Sequence, residues 1–288
     1  METIQFSLLR GICQLPGYIA HAKGFFGEQG LEVNVNVAPT AWMVPERLLN
    51  GEVHFAVMPW TRVAAARAHG EPLVTICGSG HEEAAIVVRA GLRDDEVRKV
   101  AIPQRGGIKD LTAMGMLNSL GWDGVELVRM PSGDGAILAL VGQGADAASM
   151  VEPYATMLSD LGIGRIVRRT GDLWPGAPGC SLTTTASIIE ERPDLVRHVV
   201  AAFVQGAQFV EAQPDESAAI AAGYIGVGEK FIRNALRVNK PNLHALENSE
   251  AIQSVLNLMT RMRYIESAPR ERFYEGSFLK EAVAGIPA

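Results

Sequence analysis

The stretch that decides the fold is residues 4–37, which read IQFSLLRGICQLPGYIAHAKGFFGEQGLEVNVNV. Residues 4–9 form a short apolar run, which is typical of a strand buried in a parallel sheet. Residues 10–17 contain glycine and proline and predict a loop. A helix is predicted over residues 18–26, and the apolar-polar alternation of residues 31–37 predicts a second strand. The loop after the first strand of such a unit opens at the carboxyl edge of the sheet, where ligands bind.

Composition and charge restrict the class of protein. The chain has 288 residues, of which 48% are hydrophobic and 20% are charged, as in ordinary globular proteins with a sizeable core. Its net charge of −6 argues against a nucleic-acid partner, which would need a basic face. No stretch of about 18 apolar residues occurs, so we expect no membrane span.

The cellular compartment is predicted from the N-terminus and from the cysteines. No basic region, apolar stretch and small-residue cleavage site precede the first strand, so we expect a cytoplasmic protein, or a periplasmic one if a signal was removed. The cysteines, Cys13, Cys77 and Cys180, are widely spaced and odd in number. They predict free thiols in a reducing compartment and not a disulfide framework.

Two parts of the chain repeat the same pattern of elements. A helix, a turn and a strand lead to the loop Pro59-Trp60, and the same series leads to the loop Pro153-Tyr154. Each loop is followed by a helix, a glycine and another strand. Two similar units predict two lobes, each with a sheet whose loops face a shared crevice.

The limits of the lobes follow from this repeat. Lobe I is expected to comprise residues 1–90 and 180–288, and lobe II residues 91–179, with the boundary near residues 89–95. From residue 193 onward the pattern is helical, and this tail is expected to pack mainly on lobe I.

Several segments occur in the order and spacing of a known family: residues 17–26 followed by 30–33, then 49–57, 101–107 and 151–155. Together they resemble the substrate-binding proteins of the nitrate/sulfonate/taurine and thiamine-pyrimidine-synthase-like class. The resemblance covers nearly the whole chain. It implies an α/β, two-lobed fold of the periplasmic-binding-protein type II kind, with two sheets flanked by helices and a ligand crevice between lobes that close about a hinge.

The resemblance leaves two functions open, because the class includes both binding proteins and enzymes. The first is a small-molecule binding protein that closes around an anionic or aromatic organic ligand, such as a sulfonate, a carboxylate or a pyrimidine-like compound. Solute-binding components of ABC transporters work in this way, and an ABC permease would be the partner if the protein is exported. The alternative is a cytoplasmic enzyme on the same fold, such as a Cys/His/Arg desulfinase- or decarboxylase-like lyase or hydrolase. We rank binding first.

No cofactor and no metal site are predicted. The pyrimidine synthases of this class carry a cysteine-rich iron-binding segment, and no such segment occurs in this sequence. The run His81-Glu82-Glu83 lacks the second histidine, one helical turn later, that a zinc-protease motif needs.

Loops predicted at the crevice carry the candidate ligand contacts. The run Gln104-Arg105-Gly106-Gly107 precedes a helix, where free N–H groups and an arginine suit an anion, although an ordinary strand-to-helix turn has the same composition. Ser132 would donate to a ligand oxygen or cap a helix, and Glu152 would accept from a ligand amine or latch the lobes. Aromatic side chains in these loops would stack on a flat or apolar ligand. The other candidates are Gln14, Tyr18, Thr40, Trp42, Pro59 and Trp60.

Cys13, His54 and Arg62 are the candidate catalytic residues if the protein is an enzyme. A thiolate reacts near neutral pH only beside a cation or a base, and a guanidinium grips an anionic substrate with two donors. These residues resemble the aryl-sulfinate desulfinase of this fold, which has a cysteine in the first loop with a proline three residues later, then Val-His-Phe and Thr-Arg. The alternative is that His54 caps a strand and Cys13 is a small loop residue.

Overall fold

The computed structural model describes residues 2–105, 108–130 and 133–285 of the chain. The strands within these ranges are β1 (Glu2–Leu8), β2 (Leu31–Val37), β3 (Phe55–Pro59), β4 (Leu73–Gly78), β5 (Ala84–Arg89), β6 (Lys99–Pro103), β7 (Glu126–Met130), β8 (Ala147–Val151), β9 (Gly164–Arg169) and β10 (Cys180–Thr185). The helices are α1 (Leu15–Ala22), α2 (Phe25–Glu28), α3 (Val44–Leu49), α4 (Trp60–Ala68), α5 (Ile108–Ser119), α6 (Gly133–Val141), α7 (Tyr154–Asp160), α8 (Ala186–Glu191), α9 (Pro193–Ala212), α10 (Pro214–Ile225), α11 (Glu229–Leu236), α12 (Ser249–Arg261) and α13 (Ser277–Ala284). They surround two sheets of five strands each.

The first sheet has the strand order β2-β1-β3-β10-β4. Strand β1 runs parallel to β2 and β3, whereas β10 runs antiparallel to β3 and β4. The apolar run predicted for β1 is buried, with Ile4, Phe6 and Leu8 fully inside the core. In β2 the predicted alternation holds, because the valines are partly buried against the core while the residues between them are exposed.

The second sheet has the order β7-β6-β8-β5-β9 and repeats this design. Strand β6 runs parallel to β7 and β8, and β5 runs antiparallel to β8 and β9. Residues 84–90 were predicted to belong to lobe I, but β5 pairs only with strands of the second sheet in the described chain. The chain therefore changes sheet between Gly78 and Ala84 and not near residues 89–95. Because β5 is apolar on both faces, its sequence did not indicate which sheet it joins.

Two short segments, residues 79–83 and 177–179, connect the sheets and form what we call the crossover pair. The N–H groups of Ser79 and Gly80 donate to the carbonyl of Cys180 at 2.9 and 3.2 Å, and the N–H of Gly179 donates to the carbonyl of Gly80 at 2.8 Å. The N–H of Glu82 donates to the carbonyl of Ala177 at 2.9 Å. The two connections therefore support one another at the point where the lobes join.

The first predicted helix is divided in the structure. It begins earlier than predicted, at Leu15, because Pro16 suits the first turn of a helix. It then ends at Ala22, and α2 starts only after Gly24, which has a φ of +78°. A left-handed residue cannot continue an α-helix, so the glycine turns the chain.

The helical tail packs against both lobes. Helix α9 lies along α1, α2 and α13, as predicted for a tail on lobe I, whereas α11 contacts α7 of the second lobe. Gly206 of α9 allows a close approach to α1, because a β-carbon there would meet the carbonyl carbon of Pro16 at 3.0 Å and the nitrogen of Ala20 at 3.2 Å. Among the described helices, none combines the length and the hydropathy that crossing a membrane requires.

Candidate functional site

A cleft of about 110 Å³ lies between the two lobes. It is lined by residues at the carboxyl ends of three strands from each sheet, which is where ligands bind in open α/β sheets. The first sheet contributes the ends of β1, β2 and β3, and the second contributes the ends of β6, β7 and β8. The lining residues at these ends are Leu9, Ala38, Pro59, Pro103, Met130 and Val151.

Cationic side chains dominate the charge of the cleft. Arg10, Arg62 and Lys109 all line it, and no carboxylate occurs among the described lining residues. The protein as a whole has a net charge of −6, so this concentration of positive charge is local. Such a site attracts a small anion.

Arg62 is a partly buried cation of the cleft. It lies in the first turn of α4, and its Nε is buried without a hydrogen-bond partner among the described residues. Burial lowers the pKa of Arg62 from its usual 12.5, and the nearby negative charge of Asp110 opposes this effect. An arginine with such a shift stays protonated at neutral pH, so Arg62 offers an unpaired charged donor to the cleft.

Two hydroxyl groups in the cleft are also unpaired. Thr40 Oγ1 and Ser149 Oγ are buried, and each lacks a hydrogen-bond partner within the described part of the chain. Thr40 follows β2 and Ser149 lies in β8, so they come from opposite lobes. Buried polar atoms are normally hydrogen-bonded, and a ligand with acceptor oxygens would satisfy both groups and Arg62 together.

The rest of the lining is apolar or aromatic. Trp42 and Tyr154 line the cleft together with Met130 and Met150, and Trp42 keeps 54% of its surface exposed. An exposed tryptophan beside methionines provides a surface for an apolar or aromatic group.

The structure places four of the predicted ligand contacts in the cleft: Thr40, Trp42, Pro59 and Gln104. Gly106, Gly107 and Ser132 lie outside the described residues. The remaining candidates, Gln14, Tyr18, Trp60, Arg105 and Glu152, do not line the cleft.

Gln14, Tyr18 and Trp60 are fully buried and hold the surrounding loops in place. Gln14 Oε1 accepts from the N–H of Leu9 at 3.0 Å, and the hydroxyl of Tyr18 donates to the carbonyl of Leu9. The Trp60 Nε1–H donates to the carbonyl of Pro178 at 2.9 Å, in the crossover pair. These side chains therefore hold the loops around the cleft without lining it.

Arg105 and Glu152 connect elements of the protein instead of facing the cleft. The guanidinium of Arg105 donates to the carbonyl of Met262 at 3.1 Å and lies 5.0 Å from the centre of the Tyr264 ring. The carboxylate of Glu152 accepts from Arg169 at 2.6 Å, and its carbonyl accepts from the N–H of Ile12 at 3.1 Å. That backbone contact joins the two lobes, whereas the carboxylate pairs with a strand of its own sheet.

The structure does not bring Cys13, His54 and Arg62 together. His54 precedes β3, and its Nδ1 accepts from the N–H of Gln5 at 2.9 Å. Because β1 and β3 are parallel, His54 lies at the amino edge of the sheet, whereas Cys13 and Arg62 follow the carboxyl ends. The five residues of β3 span roughly 16 Å and separate His54 from Cys13 and Arg62. The three residues therefore do not form a catalytic group, and His54 caps a strand.

Three charged or hydroxyl-bearing residues of the cleft were missed from the sequence: Arg10, Lys109 and Ser149. Arg10 stands in the predicted loop after β1, and Lys109 lies in the first turn of the helix that follows the run of residues 104–107. A search for cations in the loops after predicted strands and in the first turns of the helices that follow would have found both. Ser149 carries no such signal, because it lies inside a buried strand.

The model of the NMT1-like family matches residues 3–226. The chain belongs to the NMT1-like family. A comparison with curated proteins finds no significant match.

Solved structures share the fold of this NMT1-like protein. A ligand-binding component of an ABC-type import system from Staphylococcus aureus, solved with zinc bound, has a TM-score of 0.86 at 15% identity, covering 98% of this chain and 99% of that one. The periplasmic nitrate-binding protein of Synechocystis PCC 6803 has a TM-score of 0.82 at 14% identity, with 99% and 89% covered. The alkanesulfonate-binding protein of Xanthomonas axonopodis pv. citri, bound to MOPS, has a TM-score of 0.78 at 15% identity, with 92% and 94% covered. These likenesses confirm the predicted two-lobed periplasmic-binding-protein fold of the NMT1-like chain.

Proposed function

We propose that this NMT1-like protein binds a small organic anion in the cleft between its lobes. The observation that carries the proposal is the set of unpaired donors: Arg62 Nε, Thr40 Oγ1 and Ser149 Oγ. A single anionic head group with two or three acceptor oxygens pairs with all of them. A carboxylate or sulfonate has this chemistry, and the bonds to Arg62 are charge-assisted and therefore strong.

The ligand is expected to have an apolar or aromatic part besides its charged group. Trp42, Tyr154 and the two methionines supply a surface that inorganic anions would leave unused. The small volume of the cleft, about 110 Å³, favours a compact molecule. Organic sulfonates and carboxylates therefore rank ahead of inorganic ions as ligands.

The proposed role is that of a solute-binding component, and the partner class is an ABC permease. The fold is shared with import-system components and periplasmic binding proteins, which supports this role without naming the ligand. Delivery to a permease requires the protein on the outer side of the cytoplasmic membrane. Fractionation of source cells followed by immunoblotting distinguishes this location from the cytoplasmic one expected from the sequence.

Calorimetric titration tests the binding proposal. Wild-type protein is titrated with MOPS, an aryl sulfonate, an aryl carboxylate and nitrate, and the organic anions are expected to bind with one site per chain. The Arg62→Gln variant is expected to bind roughly 10- to 100-fold more weakly, because hydrogen bonds to charged groups contribute about 1.5–3 kcal/mol.

The matched control is Lys280→Gln, which removes an exposed positive charge on α13. It is expected to bind as the wild type does. Equal loss of affinity in both variants would show that the anions respond to overall charge, and no binding by any of the organic anions would overturn the proposal.

The enzyme alternative has less structural support. Its three candidate side chains lie at opposite edges of the first sheet, as described above. Turnover of an aryl sulfinate by the wild type, lost in Cys13→Ala, would be needed to restore it.

A further inference from the structure

A cluster of two thiols and a carboxylate lies where the crossover pair meets the start of β10 and the loop after β1. The ligand atoms of Cys13, Glu83 and Cys180 are all within 4.8 Å of one another. The three residues are buried, with 7%, 6% and 1% of their surface exposed. Cys180 holds Glu83 twice, through its N–H at 2.7 Å and its thiol at 3.4 Å.

The carboxylate of Glu83 lacks a cation, unlike the other buried carboxylates of the described chain. Asp110 is paired with Arg129, and Glu152 is paired with Arg169. Glu83 forms no such ion pair among the described residues and faces two thiols instead. A buried carboxylate without a paired cation is costly, and coordination to a divalent ion would pair it directly, while the two thiolates formed on binding keep the net charge of the site unchanged.

The backbone around Glu83 is shaped to admit it. A β-carbon at Gly80 or at Gly179 would overlap the carboxylate, and at Gly80 it would also meet the β-carbon of Cys13 at 2.5 Å. Both glycines belong to the crossover pair. The sequence therefore leaves room for this carboxylate between the two connections, directly beside both sulfur atoms.

The distances and donors suit a tetrahedral thiophilic metal ion. With Zn–S near 2.3 Å and Zn–O near 2.0–2.2 Å, the sulfur and oxygen ligands of one zinc ion are roughly 3.5 Å apart. The Cys180 Sγ to Glu83 Oε2 distance of 3.4 Å is close to this value. Thiolates select zinc-like ions over magnesium and calcium, which prefer oxygen ligands.

A second layer of side chains already orients the ligands. Gln14 Nε2 donates to the sulfur of Cys13 at 3.1 Å, and the hydroxyl of Ser79 donates to the carbonyl of Cys13. Hydrogen bonds of this kind fix metal ligands and tune their basicity. Gln14 does not line the cleft, and its role would be to orient the sulfur of Cys13.

We propose that Cys13, Glu83 and Cys180 form a binding site for a zinc-like divalent ion at the junction of the lobes. Binding exchanges the two thiol protons for the metal, so two protons are released and no electron is transferred. A water molecule would complete a tetrahedral coordination shell. Because the ligands come from the loop after β1, from the connection that ends at Glu83 and from the start of β10, the ion would fix the relative position of these three segments.

Metal titration of the full chain tests the inference. Chelator-treated protein is titrated with Zn²⁺ against a chromophoric competitor and, separately, with Co²⁺. We expect one ion per chain and thiolate-to-cobalt charge-transfer bands in the near ultraviolet. Cys13→Ser and Cys180→Ser each remove one of the two thiolates and are expected to weaken these bands. Both variants are expected to bind Zn²⁺ at least roughly 10- to 100-fold more weakly, which is the loss caused by removing an outer hydrogen-bond partner alone. Glu83→Gln is expected to weaken binding while keeping the bands.

Cys77→Ser is the matched control, because Cys77 is the third buried cysteine and lies in β4 outside the cluster. It is expected to bind metal as the wild type does. The cobalt spectrum of the wild type decides the question even if a cluster variant fails to fold. Absence of stoichiometric binding, equal binding by Cys13→Ser, or a Cys13–Cys180 disulfide in freshly isolated protein would overturn the inference. None of these results depends on the anion proposed for the cleft.

Discussion

At the mouth of the cleft, Trp42 offers a large exposed ring to the ligand. We expect Trp42→Ala to weaken the binding of an aryl sulfonate about fivefold, because aromatic contacts contribute about 1 kcal/mol, and to leave nitrate binding nearly unchanged. Calorimetry with both anions measures the difference. Leu161→Ala, which truncates another exposed apolar side chain away from the cleft, is the control. A similar loss for both anions would contradict stacking on Trp42.

His21 provides a pH-dependent contribution to stability. Burial lowers the pKa of His21 below its usual 6.5, and its Nδ1 lies 2.7 Å from the hydroxyl of Tyr224. The unfolded chain then binds the proton more tightly, so stability falls as the pH drops through 6.5 toward the lower folded pKa.

The melting temperature measured at about pH 7.5 and about pH 5.5 tests this sign. Wild-type protein is expected to lose more stability on acidification than His21→Gln does. An equal loss in the two proteins would assign the pH dependence to other groups.

Residue type and position predicted only part of the site. Thr40, Trp42, Pro59 and Gln104 were found because they follow predicted strands, and strand ends meet at the cleft. Arg105 has the same signal, but its guanidinium turns to the carbonyl of Met262, a partner 157 residues later in the chain. Such long-range pairs leave no local pattern in the sequence.

At the scale of elements, the packing of α9 on α1 depends on Gly206. We expect Gly206→Ala to destabilise the protein by about 1–3 kcal/mol, because the new methyl group would meet backbone atoms of Pro16 and Ala20 that cannot turn away. Chemical denaturation measures the change in the free energy of unfolding.

Gly223→Ala is the matched control, since Gly223 is exposed in α10 and a β-carbon there meets no atom within 4 Å. It is expected to stabilise the protein by roughly 0.5–1 kcal/mol through helix propensity. Destabilisation of similar size in both variants would contradict the close contact between α1 and α9.

The positions of the strands were predicted better than the pairing of the strands within the sheets. The alternation in β2 and the apolar run of β1 identified both strands, because burial on one face or two leaves a periodic signal. Strand β5 was assigned to the first lobe because its sequence reads as a buried strand in either sheet. The sheet is decided by hydrogen bonds to β8 and β9, whose paired residues lie 59 to 84 positions further along the chain.

For the whole molecule, the contrast between a negative protein and a positive cleft predicts salt-dependent binding. We expect affinity for an organic anion to fall severalfold as salt rises from about 0.1 M to about 1 M, because the screening length shortens from roughly 10 Å to 3 Å. Arg62→Gln is expected to show a weaker dependence than the wild type. Calorimetry across the salt series measures both.

Arg105→Gln is the control for this series, since Arg105 contacts Met262 and Tyr264 outside the cleft. It is expected to follow the wild type. A salt dependence reduced equally in both variants would indicate that the anion responds to distant charges.

The two-lobed architecture was predicted from repetition and resemblance over nearly the whole chain. The repeated order of elements survives in the structure as two sheets with related strand orders. The sequence could not indicate that Cys13, Glu83 and Cys180 meet, because each belongs to a different segment and each alone is an unremarkable buried residue.

The position of β10 has a consequence for synthesis on the ribosome. This strand separates β3 from β4, so the N-terminal sheet has a gap until residue 185 has left the exit tunnel. The other sheet draws all its strands from residues 84–169 and is complete sooner. Nascent chains would therefore assemble the middle of the protein before its beginning, reversing the usual order of domain folding.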